Sequence, residues 1–419
     1  MTASKVRRES LMKIRRRVAS HASVLLVLVT LAFVAIPSAQ AQTFRVLHKF
    51  RGHGDGAFPT SGVIRDSTGN LYGVTEYGGS FSYGTMFSLD SSGITIAHNF
   101  LGGEGLFPEG GLFLDSAGNL YGTAYDGGAN EKGGCTHGCG VLFERDATGN
   151  QTVLHAFTGK DDGGNPETTL IQDAAGNFYG VTFAGGIKSC FYGYGCGVIF
   201  KLDTANQYSV LYSFTDMTDG KFPAGLVADG AGNLYTTTYD GGTYGYGAVL
   251  RLNPAGTLTV LYSFTGSTDG NDPTGSLLID QSGNLYGTTF GVYAGGLGSV
   301  YKLDPSGNFT VLYTFTTPTG GEYPEGLVMD AAGNLYGVTL GGGTGTGCYY
   351  GSCGLIFKLD AGGNFTVLHT FTGGDGELPT NLTIDKAGNL YGTTLGGDGE
   401  GSRECSGYHG CGVVFELTP

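Results

Sequence analysis

The chain has 419 residues, of which 36 are acidic and 22 are basic, so its formal net charge is −14. This acidic excess excludes an extended surface for nucleic acid or anionic lipid, since both require basic patches. The 79 Gly residues would indicate low complexity, but 25 Phe and 25 Tyr recur beside them and can form a large core.

The first 41 residues have the pattern of a secretory signal peptide. Seven basic residues precede an apolar run over Val24–Ile36, and Ala39-Gln40-Ala41 supplies the cleavage site. A membrane anchor is the alternative, but the run falls short of the roughly 20 apolar residues that span a bilayer. We therefore predict a signal peptide at 1–41 and a mature domain at 42–419 with a net charge of about −20. The mature protein is expected outside the cell, in the periplasm or at the cell surface, with no transmembrane segment after signal removal.

Seven copies of Gly-Asn-(Leu/Phe)-Tyr follow, at spacings of 49 to 58 residues. They begin at Gly69, Gly118, Gly176, Gly232, Gly283, Gly333 and Gly388. Short alternating runs separated by Asp and Gly turns predict four strands per copy, which in the sixth copy cover 326–330, 334–339, 354–360 and 365–371. The class is therefore all-β: a seven-bladed β-propeller with four antiparallel strands per blade, with a β-solenoid as the alternative.

The two ends of the repeat region complement each other. Residues 44–50 resemble a fourth strand that lacks the first three, and residues 412–417 resemble a third strand that lacks its fourth. If the N-terminal strand completes the last blade, the ring closes and no sheet edge stays open. This closure favours a propeller over an open solenoid.

Two aromatic columns and one proline column run through the copies. Each fourth strand ends in Phe, at Phe50, Phe100, Phe157, Phe214, Phe264, Phe315 and Phe371. Two residues earlier stand His48, His98, His155, Tyr212, Tyr262, Tyr313 and His369. Because Tyr replaces His in three copies, packing between sheets is favoured over a catalytic or metal role. The following loop contains Pro59, Pro108, Pro166, Pro223, Pro273, Pro324 and Pro379.

This repeat resembles the GloVer tandem repeat of bacterial exported proteins. The features that carry the resemblance are Val-Leu-Tyr-Ser-Phe-Thr at 260–265, the proline loop, the Asp-x-x-Gly-Asn-Leu-Tyr-Gly turn and a Gly-Gly loop. It implies a secreted or cell-surface protein without an assigned activity, and a chain that ends at its last strand implies a released or periplasmic product. The fourth copy departs from the pattern with Thr236 in place of Gly. The turn is more distantly similar to propellers of the NHL, gluconolactonase and streptogramin-lyase types.

Eight cysteines form four close pairs in the longer loops between second and third strands. They are Cys135/Cys139, Cys190/Cys196, Cys348/Cys353 and Cys405/Cys411. An even count in an exported protein predicts four local disulfides. Zinc is the alternative, with His137 or His409 as a further ligand, but each group then supplies at most three of four ligands.

Residues that follow the prolines are expected at the mouth of the central channel. They are Thr60, Glu109, Glu167, Ala224, Thr274, Glu325 and Thr380, with Asp162, Asp219 and Asp269 expected nearby. Glu109, Glu167 and Glu325 are candidate ligands for calcium or groups that polarise a substrate. The alternative is that they are simply polar residues exposed to water at the mouth of the channel. Apart from calcium, no cofactor is predicted.

Aromatic residues near the same face are candidates for ligand binding. Tyr77, Tyr125, Phe183, Tyr239 and Phe290 are expected at the ends of second strands, with Tyr194, Tyr246 and Tyr350 in the adjoining loops. Flat rings with polar tips suit sugar faces and protein partners; the alternative is internal packing.

No nucleophile elbow, phosphate loop, zinc-protease helix or EF-hand occurs in the sequence. We therefore expect a monomeric, non-catalytic binding module for a glycan or protein at the cell envelope. A lactonase-like hydrolase, a lyase acting on an exported polymer, and a purely structural surface repeat are the alternatives.

Overall fold

The computed structural model describes residues 42–419 apart from 129–134, 136, 188–189, 191–192, 216–217, 276, 292–295, 346–347, 349–350, 398–404 and 406–408. The predicted signal peptide lies outside the described residues. Within them there is no α-helix, and no helix is long and apolar enough to cross a bilayer. Two short 3-10 helices occupy loops at Gly102–Glu104 and Pro318–Gly320.

Twenty-eight strands form seven four-stranded antiparallel sheets, which confirms the predicted seven-bladed propeller. Blades 1 to 3 contain β2 (Ile64–Arg65), β3 (Leu71–Thr75), β4 (Thr85–Asp90), β5 (Gly93–Asn99); β6 (Phe113–Leu114), β7 (Leu120–Ala124), β8 (Val141–Arg145), β9 (Gln151–Ala156); and β10 (Ile171–Gln172), β11 (Phe178–Thr182), β12 (Val198–Leu202), β13 (Tyr208–Ser213). Blades 4 and 5 contain β14 (Lys221–Ala228), β15 (Leu234–Asp240), β16 (Ala248–Leu252), β17 (Leu258–Ser263); and β18 (Leu278–Ile279), β19 (Leu285–Thr289), β20 (Ser299–Leu303), β21 (Phe309–Thr314). Blades 6 and 7 contain β22 (Glu322–Met329), β23 (Leu335–Gly341), β24 (Leu355–Leu359), β25 (Phe365–Thr370); and β26 (Glu377–Ile384), β27 (Leu390–Gly396), β28 (Val413–Thr418), β1 (Thr43–Lys49).

The seventh blade is completed by the N-terminal strand, as predicted. Its order is β1-β28-β27-β26, and Phe44 pairs with Leu417 while Val46 pairs with Phe415. The ring of Phe44 stacks on His369 of blade 6, with 3.7 Å between centroids. Hydrogen bonding along β1 therefore joins the N-terminal strand to the last strand and covers the edge of β28 that would otherwise be unpaired.

The Gly-Asn-Leu-Tyr motif builds the turn from first to second strand around an aspartate. In blade 1, Asp66 Oδ1 accepts hydrogen bonds from the backbone N–H groups of Thr68, Gly69 and Asn70 at 2.7 to 2.9 Å. Its Oδ2 accepts from Asn70 Nδ2 at 2.9 Å and from the Tyr72 hydroxyl at 3.2 Å. Burial alone would raise the pKa of Asp66, but the bonds from Thr68 and Asn70 outweigh it and lower the pKa to about 2. The motif is thus a structural turn.

The proline column packs each blade on the one before it. Every third strand is preceded by a glycine at positive φ, between 84° and 101°. A Cβ at any of these glycines would lie within 2.7 Å of the proline Cδ in the next blade. The seven pairs are Gly84/Pro108, Gly140/Pro166, Gly197/Pro223, Gly247/Pro273, Gly298/Pro324, Gly354/Pro379 and Gly412/Pro59. The last pair joins blade 7 to blade 1, so the same contact closes the ring. We call this contact between glycine and proline the seam.

The residue before each proline strengthens this contact with a hydrogen bond. All seven are non-glycine residues held at φ of 50° to 59°: Phe58, Phe107, Asn165, Phe222, Asp272, Tyr323 and Leu378. The N–H of Phe222, for example, donates to the carbonyl of Cys196 in blade 3 at 3.0 Å. A left-handed non-glycine residue costs about 1–3 kcal/mol, and this interblade bond, with the proline packing, compensates for that cost.

The four predicted disulfides form, with Cα–Cα distances of 5.0 to 5.3 Å. The carbonyls of Cys139, Cys196, Cys353 and Cys411 accept the interblade bond from the residue before the next proline. Each bridge therefore anchors a long loop where it meets the next blade. Both thiols of every pair are used, which rules out the zinc alternative at these cysteines. Such bonds are typical of a protein exported to an oxidising compartment.

The His and Tyr column packs between blades, as favoured above. His155 stacks on Tyr208 of the next blade at 3.8 Å, and Tyr262 stacks on Phe309 at 4.0 Å. Acidic residues in the next loop accept from their polar tips: Tyr212 Oη lies 2.7 Å from Asp219 and Tyr262 Oη lies 2.9 Å from Asp269. These contacts hold the end of the fourth strand to the loop that follows it.

The first strand of blade 6 is longer than predicted. It begins at Glu322 rather than at residue 326, because residues around the proline already pair with β23. Pro324 pairs with Thr339, and the register shifts between Glu325 and Leu327. The irregularity lets the strand continue past the proline, which has no N–H to donate.

Thr236 is accommodated by a change in the strand beside it. In the other six blades the glycine of the motif pairs with a ring of the third strand, as Gly73 pairs with Phe87 and Gly287 with Tyr301. In blade 4, Thr236 pairs instead with Leu250. The smaller Leu leaves room for the Thr side chain, whose hydroxyl donates to the carbonyl of Gly225 at 2.7 Å.

We predict that Leu250→Phe destabilises the fold by about 1–3 kcal/mol, because the ring would overlap Thr236 in a filled core. The double variant Thr236→Gly/Leu250→Phe should recover most of this loss, since it restores the pairing of the other blades. Urea unfolding of the wild type, both single variants and the double variant measures the coupling. Additive losses would contradict this pairing.

We also predict that Gly247→Ala destabilises the fold more than Gly256→Ala. Both glycines have positive φ, +87° and +81°, so both variants pay the left-handed cost of about 1–2 kcal/mol. Only at Gly247 would the added Cβ also collide, with the Thr238 carbonyl oxygen of the same blade and, at 2.6 Å, with Pro273 Cδ of the next blade, whereas nothing lies within 4 Å at Gly256. The difference in unfolding free energy should be at least about 1 kcal/mol; equal losses would show that the seam tolerates a methyl group.

Candidate functional site

A central cavity of about 490 Å3 lies where the proline loops of all seven blades meet. The lining includes every residue that follows a proline: Thr60, Glu109, Glu167, Ala224, Thr274, Glu325 and Thr380. We call the end of the ring that carries the loops from fourth to first strands and from second to third strands the loop face. These two sets of loops are hydrogen-bonded to each other, for example through Ala57 and Tyr77.

The three glutamates of the cavity hold their protons unusually strongly. Burial, followed by the charges of Glu167, Glu76 and Asp126, raises the pKa of Glu109 to about 9. Burial raises the pKa of Glu167 to about 7. It also raises the pKa of Glu325 to about 7, against an opposing hydrogen bond from the Thr274 hydroxyl at 3.4 Å. Near neutral pH the cavity therefore contains both hydrogen-bond donors and acceptors on its carboxyl groups.

The carboxyl groups surround the opening but do not converge. Within the part of the chain that the structure describes, no group of three or more His, Cys, Asp or Glu residues is placed to hold a metal ion. Calcium usually takes six to eight oxygen ligands at 2.3–2.6 Å. Neighbouring hydroxyl and amide side chains, including Ser61, Thr168 and Asn381, complete a polar wall.

Several predicted aromatic residues lie at this cavity. Phe183 and Tyr239 line it, and Phe183 stacks on Phe222 of the next blade with 4.4 Å between centroids. Burial, followed by the charges of Glu167, Glu109 and Asp126, raises the pKa of Tyr125 to about 12, which places Tyr125 beside the glutamates. Phe290 stacks on Tyr323 at 4.5 Å.

Tyr77 does not occupy the position expected for it. The N–H that bonds to the residue before the proline belongs to Glu76 in blade 1, to Tyr125 in blade 2 and to Phe183 in blade 3. Tyr77 lies one residue further along and packs its exposed ring against Phe58 and Phe107. Glu76, not Tyr77, is the repeat equivalent of Tyr125, since each stands seven residues after the first Gly of its Gly-Asn-Leu-Tyr motif. Successive side chains of a strand point to opposite faces, so a difference of one position changes the face that a side chain occupies.

Glu76 is consequently a site residue that the sequence interpretation missed. Burial raises its pKa, although a hydrogen bond with Tyr77 opposes the shift. Its charge also raises the pKa of Glu109. Alignment on the Gly-Gly loop identifies it, because Glu76 stands two residues before Gly78 as Tyr125 stands two residues before Gly127.

The remaining aromatic candidates divide between surface and interface. Tyr194 is exposed in the long loop of blade 3, whereas Tyr246 is half-buried among the residues between blades 4 and 5. Tyr350 lies outside the described residues. Phe81, Tyr83 and Tyr244 are exposed in the loops of blades 1 and 4, and the sequence interpretation did not single them out.

Asp162, Asp219 and Asp269 do not line the central cavity. Each binds the end of the preceding fourth strand: Asp219 accepts from Tyr212 and Thr215, and Asp269 accepts from Tyr262 and Thr265. Asp162 contacts His155 and Thr158 in the same manner. They stabilise the turn between blades, and the acidic side chains that line the cavity are the three glutamates.

The raised pKa values predict a stability that falls between pH 5 and pH 9. A carboxyl group with a raised folded-state pKa stabilises the fold below its unfolded pKa and loses that contribution as pH rises through the folded value. Unfolding free energy from urea titrations should therefore decline over this range, and Glu109→Gln should flatten the decline between pH 7 and pH 9. Identical profiles for both proteins would contradict the proposed protonation of Glu109.

Solved structures share this fold at low identity. A catalytically inactive variant of virginiamycin B lyase from Staphylococcus aureus, with quinupristin, is 12% identical with a TM-score of 0.58, and the match covers 90% of this chain and 100% of that one. The extracellular domain of a protein described as a hybrid two-component system from B. thetaiotaomicron is 14% identical, with a TM-score of 0.56 and coverage of 90% and 41%. A gluconolactonase from Xanthomonas campestris is 16% identical, with a TM-score of 0.41 and coverage of 66% and 78%. The first two likenesses concern the fold alone, and the third, with a TM-score below 0.5, carries no argument.

Comparison with known sequences identifies a family but no characterised relative. No curated protein matches the chain. The model of the Gloeobacter/Verrucomicrobia repeat, in contrast, matches residues 36–194 and 191–404, which span most of the propeller. With its repeated turns, seams and closed ring, this chain belongs to the Gloeobacter/Verrucomicrobia repeat family.

Proposed function

We propose that this protein is an exported, non-catalytic module that binds a polysaccharide through its loop face. The observation that carries the proposal is a concentration of exposed aromatic rings on that face, which we call the aromatic rim: Tyr77, Phe81, Tyr83, Tyr194, Tyr239 and Tyr244. All six lie at the ends of second strands or in the loops that follow them.

The rim has the chemistry that sugar faces require. Tyr and Phe rings present flat apolar surfaces and lose little conformational entropy on binding. Tyr77, Tyr83 and Phe107 form a continuous aromatic group, with Phe107 5.0 Å from Tyr77 and 5.8 Å from Tyr83. The six residues of the rim keep 38% to 59% of their surface exposed, and exposed aromatic surface of this kind marks binding sites in other proteins.

The setting outside the cytoplasm follows from the disulfides, and we place the protein at the cell envelope or in the medium. The predicted signal peptide agrees with this location. A net charge of about −20 after signal removal disfavours nucleic acid as a partner. We propose that the module acts as a monomer, because neighbouring subunits are not needed to complete the rim.

An enzymatic function is the second candidate, and the raised pKa values favour it specifically. A carboxyl group that stays protonated near neutral pH, as Glu109 does, suits a general acid. A hydrolase or lyase acting at the central cavity would convert its polymer or lactone into new products. Incubation with such substrates, followed by mass spectrometry of wild type and Glu109→Gln, distinguishes the two functions: product that depends on Glu109 supports catalysis.

No cofactor belongs to the binding proposal. Calcium at Glu109, Glu167 and Glu325 is the alternative, and thermal unfolding with calcium or EDTA tests it. A rise in unfolding temperature with calcium that disappears in Glu109→Gln/Glu325→Gln would favour the metal.

We predict that Tyr77→Ala/Tyr83→Ala/Tyr244→Ala weakens polysaccharide binding by about tenfold or more, since loss of a central aromatic contact commonly costs more than 1 kcal/mol. Affinity electrophoresis through gels containing individual exported polysaccharides measures the effect. Val260→Ser, an exposed change on the outer strand β17, is the control and should bind like wild type.

Failure of every polysaccharide to retard the wild type, or equal retardation of the triple variant, would overturn the glycan proposal. Binding of a defined cell-envelope protein that the triple variant loses would assign the rim to a protein partner instead.

A further inference from the structure

The central cavity is acidic and has no compensating base. Among the described residues that line it there is no Lys, Arg or His. Glu109, Glu167 and Glu325 enter it from blades 2, 3 and 6, and within the described residues no side chain donates a hydrogen bond to the carboxyl groups of Glu109 and Glu167. Charged and titratable neighbours of Glu109 are Glu167, Glu76, Asp126 and Tyr125, none of them cationic. The cavity therefore attracts positive charge.

One wall of the cavity is aromatic. Phe183 and Phe222 are stacked there, and Tyr239 stands beside them in the lining. Ring faces attract ammonium groups within about 6 Å of the centroid. A cation already approaches this wall, because Lys221 Nζ lies 5.9 Å from the centroid of Phe222, although Lys221 does not line the cavity.

Several hydroxyl groups at the cavity have no partner among the described residues. Ser61 Oγ and Thr168 Oγ1 belong to lining residues. Thr288 is 1% exposed, its Oγ1 has no hydrogen-bond partner in the described chain, and it is directed at Gly275 in the cavity wall, where a side chain would collide with it. A buried hydroxyl without a partner costs about 1–3 kcal/mol, so these groups are arranged for a polar ligand or for water.

A bare metal ion does not fit this arrangement, since the carboxyl groups in the described chain do not converge on one point. An organic cation does, because its several N–H groups can reach separated carboxylates while its carbon skeleton contacts the rings. A volume of about 490 Å3 is within the range of small-ligand sites, about 300–1,000 Å3. We propose that the central cavity binds an organic ammonium group, held by Glu109, Glu167 and Glu325 against the wall of Phe183, Phe222 and Tyr239.

Two sources share this chemistry, an amino sugar and an aliphatic polyamine. Only the first would join the cavity to the rim in binding one polymer. Tyr239 belongs to both, but the cavity proposal does not depend on polysaccharide binding by the other five rim residues. Isothermal titration at pH 7 with glucosamine hexamer, N-acetylglucosamine hexamer, spermidine and calcium chloride distinguishes these ligands. The two hexamers differ chiefly in the charge of the amine, so they form a matched pair.

We expect glucosamine hexamer or spermidine to bind at least tenfold more tightly than N-acetylglucosamine hexamer. Glu167→Gln/Glu325→Gln should abolish this preference, because it removes the two carboxyl groups that can ionise beside a bound ammonium group without changing side-chain size. Asp161→Asn/Glu104→Gln, which removes two exposed charges outside the cavity lining, is the control and should keep the preference. Tyr239→Leu is an independent variant at an exposed position and should weaken amine binding severalfold even if the glutamate variant folds poorly.

Equal binding of the two hexamers and no binding of spermidine would overturn the proposal and leave the rim untouched. Calcium binding without a response to either amine would overturn it as well. Loss of polysaccharide binding in the rim variant, with amine preference intact, would separate the two sites.

Discussion

One small contact recurs between every pair of neighbouring blades, between the glycine before a third strand and the proline of the following loop, beside the stacked rings of the fourth strands. At Gly247 an added methyl group would lie 2.6 Å from Pro273 Cδ. The close approach requires glycine, its positive φ excludes other residues, and the residue before the proline is held in a left-handed conformation. Strained as it is, the arrangement repeats seven times because it brings a backbone hydrogen bond and a tight van der Waals contact to every seam.

The same seam creates the cavity. Once the proline is fixed against the preceding blade, the residue after it must point toward the axis of the ring, so seven such residues meet there. The scaffold determines their place but not their identity, and three copies carry glutamate where others carry Thr or Ala. Burial on a shared axis then raises the pKa of each glutamate, and their mutual repulsion raises that of Glu109 further. The position after the proline is thus common to all seven blades, but only three blades place a titratable carboxyl group there.

Where one blade departs from the repeat, a second change in the same blade compensates for it. Thr236 replaces the usual glycine only where Leu250 replaces the usual ring, so blade 4 keeps a filled core. Disulfides occur where the loop between second and third strands is long, and their second cysteine supplies the interblade acceptor. In blade 1 the repeat position that holds Tyr125 in blade 2 holds Glu76, and Tyr77, one residue later, packs against Phe107. Insertions therefore change the loop face while the seam stays constant.

The amino-acid sequence by itself determined the number of blades, the four strands in each, the closure by the N-terminal strand and the cysteine pairing, because these depend on local periodicity and turn chemistry. It also placed the residues after the prolines at a common opening. Only the tertiary structure decided that Asp162, Asp219 and Asp269 do not lie there, that Glu76 acts on Glu109, and how the glutamates titrate. Register at a strand end and burial at an axis depend on contacts between residues far apart in the chain, and no single repeat contains that information.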